Sequence, residues 1–412
     1  MKNNRSRNTL SRRAAARAAA AAVLSAAALM GGIAPTAQAA PASAPTTTGT
    51  APAAIDPAAR LAGLRAVVDS GTATWNTARI VEEGRTVWKG AAGVSNRHNG
   101  APVDPNGRFR IGSVTKMFTA TVVLQLVGEG RLGLDDPVAS HLPGVVPGGD
   151  HITVRQLLNH TSGLYNYTDL PAFNLPVAEW VSTGRWRTHT AAGIVADAVK
   201  HPPHFAPGRG WMYSNTNYLL AGMVIEKVTG RTWNSEVEQR IAGPLGLRDT
   251  FMPRTSPFLG GVHARNYTKL PSGPVDITLL NPSEAGAGGA GVSTTADLAR
   301  FHSALFTGKL LRPAELAEMK RTVSTDPDAS PGTPRVGYGL GIQRIDWLDG
   351  LGCGEVWGHT GGIYGSATLL FGDADGDRQA AMSSSPLEDR DANTVITEMT
   401  KSVACRATGP AA

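Results

Sequence analysis

The sequence predicts an α+β fold. An antiparallel β-sheet built from both ends of the chain is flanked by helices, and a mostly helical region is inserted between its halves. Three observations lead there. Strand-like patterning appears at residues 78–96 and again at 357–385. The stretch from Leu132 to about Glu284 reads instead as helices and loops rich in Pro, Gly and aromatics. Helical spacing recurs outside both strand regions, at 57–70 (Leu61, Leu64, Val67, Val68) and at 387–403 (Val395, Ile396, Met399, Val403).

In chain order, residues 1–39 carry Lys2, Arg5, Arg7, Arg12, Arg13 and Arg17 without an acid, then an Ala-rich apolar stretch and Ala37-Gln38-Ala39. This is the pattern of a secretory signal peptide, cleaved near Ala39 or Ala40, and it predicts a secreted, unanchored protein. Arg12-Arg13 after Ser11 permits twin-arginine as well as general export. Residues 40–54 form a Pro/Ala/Thr tether expected to be disordered. Residues 55–130 read as the first α/β part, with two strands joined by a turn at Glu83-Gly84 and a helix following "FRIGSVTK". Residues 131–284 form the helical region and 285–406 the second α/β part. That part has antiparallel strands about a turn at Asp373–Gly376 and a closing helix; residues 407–412 are a tail.

The formal charge of +6 belongs to the export segment. Of 39 Lys and Arg, six lie in residues 1–39, leaving 33 against 33 Asp and Glu. A neutral remainder gives no reason to expect nucleic acid or anionic lipid as a partner, and a monomer is expected. Cys353 and Cys405 both lie in the exported part. An oxidising compartment favours a disulfide between them, two free buried thiols being the alternative. The bridge would close a loop of about 50 residues, worth ~4 kcal/mol on the chain-entropy model.

Several signals fail. Gly286, Gly288 and Gly291 match G-x-G-x-x-G, but "LLNPSEA" before them is too short and polar for the required strand. They read as a loop approaching the core or a substrate. No serine sits in G-x-S-x-G, and H-E-x-x-H and C-x-x-C are absent. The ten histidines show no metal-ligand spacing, so no metal or other cofactor is expected.

Three short motifs hold together. Ser113 and Lys116 form the chain's single S-x-x-K, and three residues on a helix put both side chains on one face. At a helix start, free N–H groups favour a developing negative charge. Lys116 can serve as a base only if burial or a neighbouring cation lowers its pKa. Tyr213 and Asn215, in Y-S-N, point the same way from extended backbone. His359-Thr360-Gly361, followed by Gly362, lies in a predicted strand that can lay side chains and N–H groups along a substrate. Each has a plain alternative when read alone: a cap and a solvated charge, a capping Asn beside a core Tyr, a satisfied His at a strand end.

In this order the motifs resemble the serine β-lactamase and penicillin-binding-protein superfamily, in its Tyr-x-Asn branch with class C β-lactamases, secreted DD-peptidases and related esterases. "FRIGSVTK", "LGLDDPV", "ITVRQLLNHTSGLYNYT", "YSNTNYLLAGMVIEKVTG", "VSTTADLARF" and "GYGLG" also resemble family segments in family order. The resemblance is strongest to soluble actinobacterial-type D-alanyl-D-alanine carboxypeptidases. It implies a β-lactamase/transpeptidase-like fold and an acyl-serine mechanism. Ser113 would be the nucleophile and Lys116 would take its proton, directly or through Tyr213. Tyr213 would protonate the leaving amine, its pKa lowered by Lys116 and His359. Asn215 would hold the acyl-side amide, and Thr360 the carboxylate-bearing end. The N–H groups of Ser113 and Gly362 would form the oxyanion hole.

The implied substrate is a peptidoglycan stem peptide or a related small acyl compound, with β-lactams as acylating inhibitors. A serine esterase, a β-lactamase or a D-amino-acid amidase is the alternative on the same residues. A non-catalytic wall-binding relative would not need all four of Ser113, Lys116, Tyr213 and Asn215. Two departures bear on the choice. Gly362 stands where DD-peptidases carry a hydroxyl residue, and Arg344, expected to bind substrate, follows Gln343 one position off the family pattern.

Overall fold

A computed structural model describes residues 57–70, 73–326, 335–346, 354–387 and 392–404. The export segment, the tether, Cys353, Cys405 and the tail lie outside the described residues.

The α+β architecture is found. Its centre is a nine-stranded antiparallel sheet. Strands β1 (Ala73–Glu82), β2 (Arg85–Asn96) and β3 (Ala101–Pro102) come from the first part of the chain. The second part supplies β4 (Val323–Ser324), β5 (Arg335–Tyr338), β6 (Gln343–Asp346), β7 (Glu355–Ile363), β8 (Ser366–Gly372) and β9 (Arg378–Pro386). The spatial order is β3-β2-β1-β9-β8-β7-β6-β5-β4. The two parts of the chain meet where β1 pairs β9, with Thr77 opposite Ser383 and Ile80 opposite Ala380. The β1–β2 turn has Glu83 at φ 49° and Gly84 at φ 74°, the two left-handed residues a type I′ hairpin turn requires.

Alternation along the strands divides the core. Ala78, Ile80, Leu369, Phe371, Ala380 and Met382 face one layer, with Leu64, Val67 and Val68 of helix α1 (Pro57–Asp69) and Ile396, Met399 and Val403 of the closing helix. Trp75, Leu370 and Ala381 face the opposite layer, which contains α2 (Thr115–Gly128), α3 (Asn215–Thr229) and α4 (Thr295–Phe306). With both faces covered, β1 is buried along nearly its whole length. The last helix is described as α5 (Ala392–Ala404).

Helix α2 departs from the expectation of one core face. Residues 115–124 and Leu126 are all buried, Lys116 included, so the helix is enclosed all round. Phe118 stacks on Phe301 of α4 with ring centroids 3.8 Å apart. Enclosure is what turns a lysine in the first turn from a solvated charge into a chemical feature.

Candidate active site

Ser113 does not start α2 directly. It lies in a 3-10 turn, Gly112–Val114, that runs into the helix. Gly112 has φ 49°, and a Cβ there would lie 2.7 Å from Gly362 N and O. A Cβ on Gly361 would lie 2.1 Å from the Ile111 carbonyl oxygen and 3.2 Å from Ser113 N. Only glycine at these positions lets the serine turn lie directly on the backbone of β7.

Three elements converge on one nitrogen. Lys116 Nζ is 3.1 Å from Ser113 Oγ, 2.7 Å from Asn215 Oδ1 and 2.7 Å from the Gly288 carbonyl oxygen. It also lies 4.9 Å from the centre of the Tyr213 ring. Complete burial lowers the Lys116 pKa well below that of an ordinary lysine. As an ammonium, Nζ donates to all three acceptors; once deprotonated, it keeps its two hydrogens on Asn215 and Gly288 and turns a lone pair to the Ser113 hydroxyl, which then donates.

Asn215 opens α3 after the extended residue Ser214, and its N–H donates to Asn166 Oδ1 at 2.9 Å. Tyr213 and Asn215 therefore address the same Nζ, as the extended-backbone reading of Y-S-N requires. The glycine-rich segment forms a short helical turn, Gly286–Gly289, and presents the Gly288 carbonyl to Lys116.

On β7, Thr360 N–H donates to Gln343 Oε1 at 3.1 Å. Backbone direction alternates along a strand, so Gly362 N–H points to the same side as Thr360 N–H. β6 pairs with β7 no further than Gly358, which leaves residues 360–363 as an open edge beside Ser113. Thr360 Oγ1 is buried there without a hydrogen-bond partner among the described residues.

Two expected features of Tyr213 and His359 are corrected by burial. His359 is 0% exposed; its Nε2 accepts from the Tyr338 hydroxyl at 2.7 Å and its Nδ1 bonds the Thr360 carbonyl. Burial, reinforced by Lys116, pushes its pKa down to about 3. It is a neutral prop for β7, with neither a charge nor a free nitrogen for a ligand. Burial likewise drives the Tyr213 phenol well above its usual range, and the neighbouring Ser113 hydroxyl offsets this only in part. Tyr213 Oη makes no well-formed hydrogen bond among the described residues. Tyr213 is thus kept as the protonated phenol and not a tyrosinate.

Arg344 is not brought to the cluster. Its guanidinium bonds Asp346 and pairs with Glu355 at 2.8 Å, on the outer part of β6 and β7. It is partly exposed, where ion pairs contribute about 0–1 kcal/mol. Arg344→Ala is expected to leave kcat/KM within about twofold of wild type on any substrate, because the pair it breaks is remote and weak. A larger fall in KM-dependent rate with a carboxylate-bearing substrate alone would return Arg344 to the site.

Gln343, Asn166 and Tyr338 complete the arrangement and are not among the residues that motif reading selects, whereas Gly288 belongs to the glycine segment expected to approach the core or a substrate. A family model described as Beta-lactamase matches residues 65–398. The crystal structure of a D-stereospecific amidohydrolase from Streptomyces sp. is 44% identical with a TM-score of 0.73, the match covering 84% of this chain and 98% of that one. A D-amino acid amidase from Ochrobactrum anthropi SV3, solved in complex with L-phenylalanine amide, is 29% identical with a TM-score of 0.70, over 83% and 96% of the two chains. A penicillin-binding protein of Bacillus subtilis (strain 168) is 28% identical over 313 residues; the match takes in 72% of this chain and 64% of that longer protein.

Proposed function

The chain belongs to the beta-lactamase family, and on that premise we propose that it is an exported acyl-serine amidohydrolase acting at the carbonyl of a D-configured residue. The observation that carries the chemistry is the buried contact between Lys116 Nζ and Ser113 Oγ. Ser113 Oγ attacks the carbonyl carbon while its proton passes to Lys116. The oxyanion develops between the N–H groups of Ser113 and Gly362 at the open edge of β7. Tyr213 protonates the leaving nitrogen as the bond breaks and recovers a proton from Lys116. Water then attacks the acyl-serine by the reverse route, restoring Ser113. Asn215 holds Lys116 in place, and Thr360 meets the far end of the substrate.

Preference for a D-residue rests on the similarity to the Streptomyces amidohydrolase. Gly362 offers no hydroxyl and Arg344 is held by Asp346 and Glu355, so the carboxylate anchor expected of a D-alanyl-D-alanine carboxypeptidase is not assembled. Amide and ester leaving groups suit the site better than a terminal D-alanine.

Parallel assays test this. D-phenylalanine amide is expected to release ammonia, with the L-enantiomer inert and an acyl-D-Ala-D-Ala peptide slower. Faster release of D-alanine from that peptide would reinstate the carboxypeptidase reading. Rapid turnover of p-nitrophenyl butyrate with both amides untouched would make it an esterase.

A further inference from the structure

Tyr213 lies in a loop, yet its chemistry needs a fixed position. Its own hydroxyl does not hold it, since Tyr213 Oη lacks a well-formed hydrogen bond among the described residues. The neighbouring amides are both held by one residue. Met212 N–H donates to the His160 carbonyl at 3.1 Å, and Ser214 N–H donates to His160 Nδ1 at 3.2 Å. The imidazole itself packs against the Tyr213 ring, with centroids 4.3 Å apart. We propose that His160 is the positioning residue for Tyr213, clamping the backbone on either side of the phenol and backing its ring. This rests on the reading of Tyr213 as the proton donor.

The details of His160 fit such a task. Among the described residues, Glu83 and His160 are the non-glycine residues with positive φ. Glu83 lies in a hairpin turn, where that conformation is ordinary. His160, at φ 63°, is 0% exposed and sits in the interior. A strained backbone inside the fold is a sign that something else over-determines it. Its tautomer is also fixed. Nδ1 faces two donors, Ser214 N–H and Asn217 Nδ2 at 3.2 Å, so it carries the lone pair and Nε2 the proton. Asn217 is oriented in turn by the Ser162 hydroxyl at 2.7 Å. The remaining faces of the ring meet Tyr338 at 4.7 Å and Tyr218 at 5.4 Å. Burial lowers the imidazole pKa well below that of an ordinary histidine. The backbone carbonyl holds Met212, and a ring with one accepting nitrogen and a flat face meets the other two demands; leucine would keep the carbonyl but supply only volume in place of the ring.

The test exploits the leaving group. An amide nitrogen must be protonated to leave, whereas p-nitrophenolate leaves unaided. His160→Leu is expected to slow D-phenylalanine amide turnover by about 10²-fold and p-nitrophenyl ester turnover by less than about tenfold. His160→Asn places an acceptor oxygen near the Nδ1 position and should recover most of the lost amide rate. In a Tyr213→Phe background, His160→Leu should add less than about twofold, because the group it positions is already gone. Equal losses on both substrates, no recovery with Asn, or fully additive effects would overturn the proposal. If His160→Leu does not fold, His160→Phe gives the same comparison, keeping a flat ring without the acceptor. A crystal structure of the variant decides the point without turnover. Tyr213 withdrawn from its 4.9 Å approach to Lys116 Nζ supports the clamp, and an unmoved Tyr213 refutes it. A wild type inert toward D-amides would overturn the activity reading of the preceding section and leave this geometric result standing.

Discussion

Ser113→Ala is expected to lower turnover by on the order of 10⁴-fold or more and to abolish covalent labelling by penicillin or any activated ester. The size follows from what is lost. Without Oγ there is no acyl-enzyme, and the remaining donors can only polarise a carbonyl for attack by water. The fold should survive, since Ser113 is a small side chain in a turn whose shape is set by Gly112 and Gly361. Lys116 keeps its contacts to Asn215 and Gly288. Mass spectrometry of wild type and variant after penicillin treatment, beside progress curves on the best substrate, measures both effects. More than a tenth of wild-type activity in a correctly folded Ser113→Ala would remove Ser113 from the mechanism.

Lys116→Met should reduce kcat/KM by on the order of 10³–10⁴-fold, the usual scale for losing the general base of an activated serine. Lys116→Arg should fail as well, because a guanidinium stays charged and cannot take the Ser113 proton. In the wild type, the acid limb of kcat/KM against pH should lie well below the lysine range, because burial disfavours the ammonium. The same shift has a sign in stability. The folded-state pKa of Lys116 lies below that of an unfolded lysine, so between the two values the unfolded chain binds more protons. Stability therefore rises with pH through that window. This rise should be reduced in Lys116→Met. Urea unfolding of both proteins between pH 7 and 10 reads the difference. Parallel stability curves would mean that Lys116 is charged in the fold, and the base would have to be sought elsewhere.

What the sequence made legible was set by local rules. Alternation and the Glu83-Gly84 turn located the first hairpin, and one-turn spacing on α2 brought Ser113 beside Lys116. The Y-S-N geometry also followed from extended backbone, and Asn215 and Tyr213 do meet Lys116. Other parts depended on distant packing. The carbonyl of Gly288 is a backbone acceptor, so no side chain advertises it. Gln343 matters through the register of β6 on β7, which a single strand does not reveal. The neutrality of His359 arises from burial, and the partner of its Nε2, Tyr338, lies 21 residues earlier in the chain. Arg344 was misplaced for a more local reason. Arg344 and Asp346 are two apart in a strand and share a face, so their pairing was available from spacing alone.

The β1–β9 seam has a consequence for the order of events in the cell. One edge of β1 pairs with β2, but its other edge finds its partner only in residues 378–386. β7, which carries Thr360 and Gly362, is tied to the rest of the sheet through β8 and β9. The nucleophile is synthesised early, but the strand that gives it an oxyanion site is seated only when nearly the whole chain is available. Such non-local closure folds slowly, and a chain stopped before β9 would leave the edges of β1 and β8 bare. Catalytic competence is in this sense a property of the finished polypeptide. A truncated chain would present aggregation-prone edges in place of a partly working enzyme.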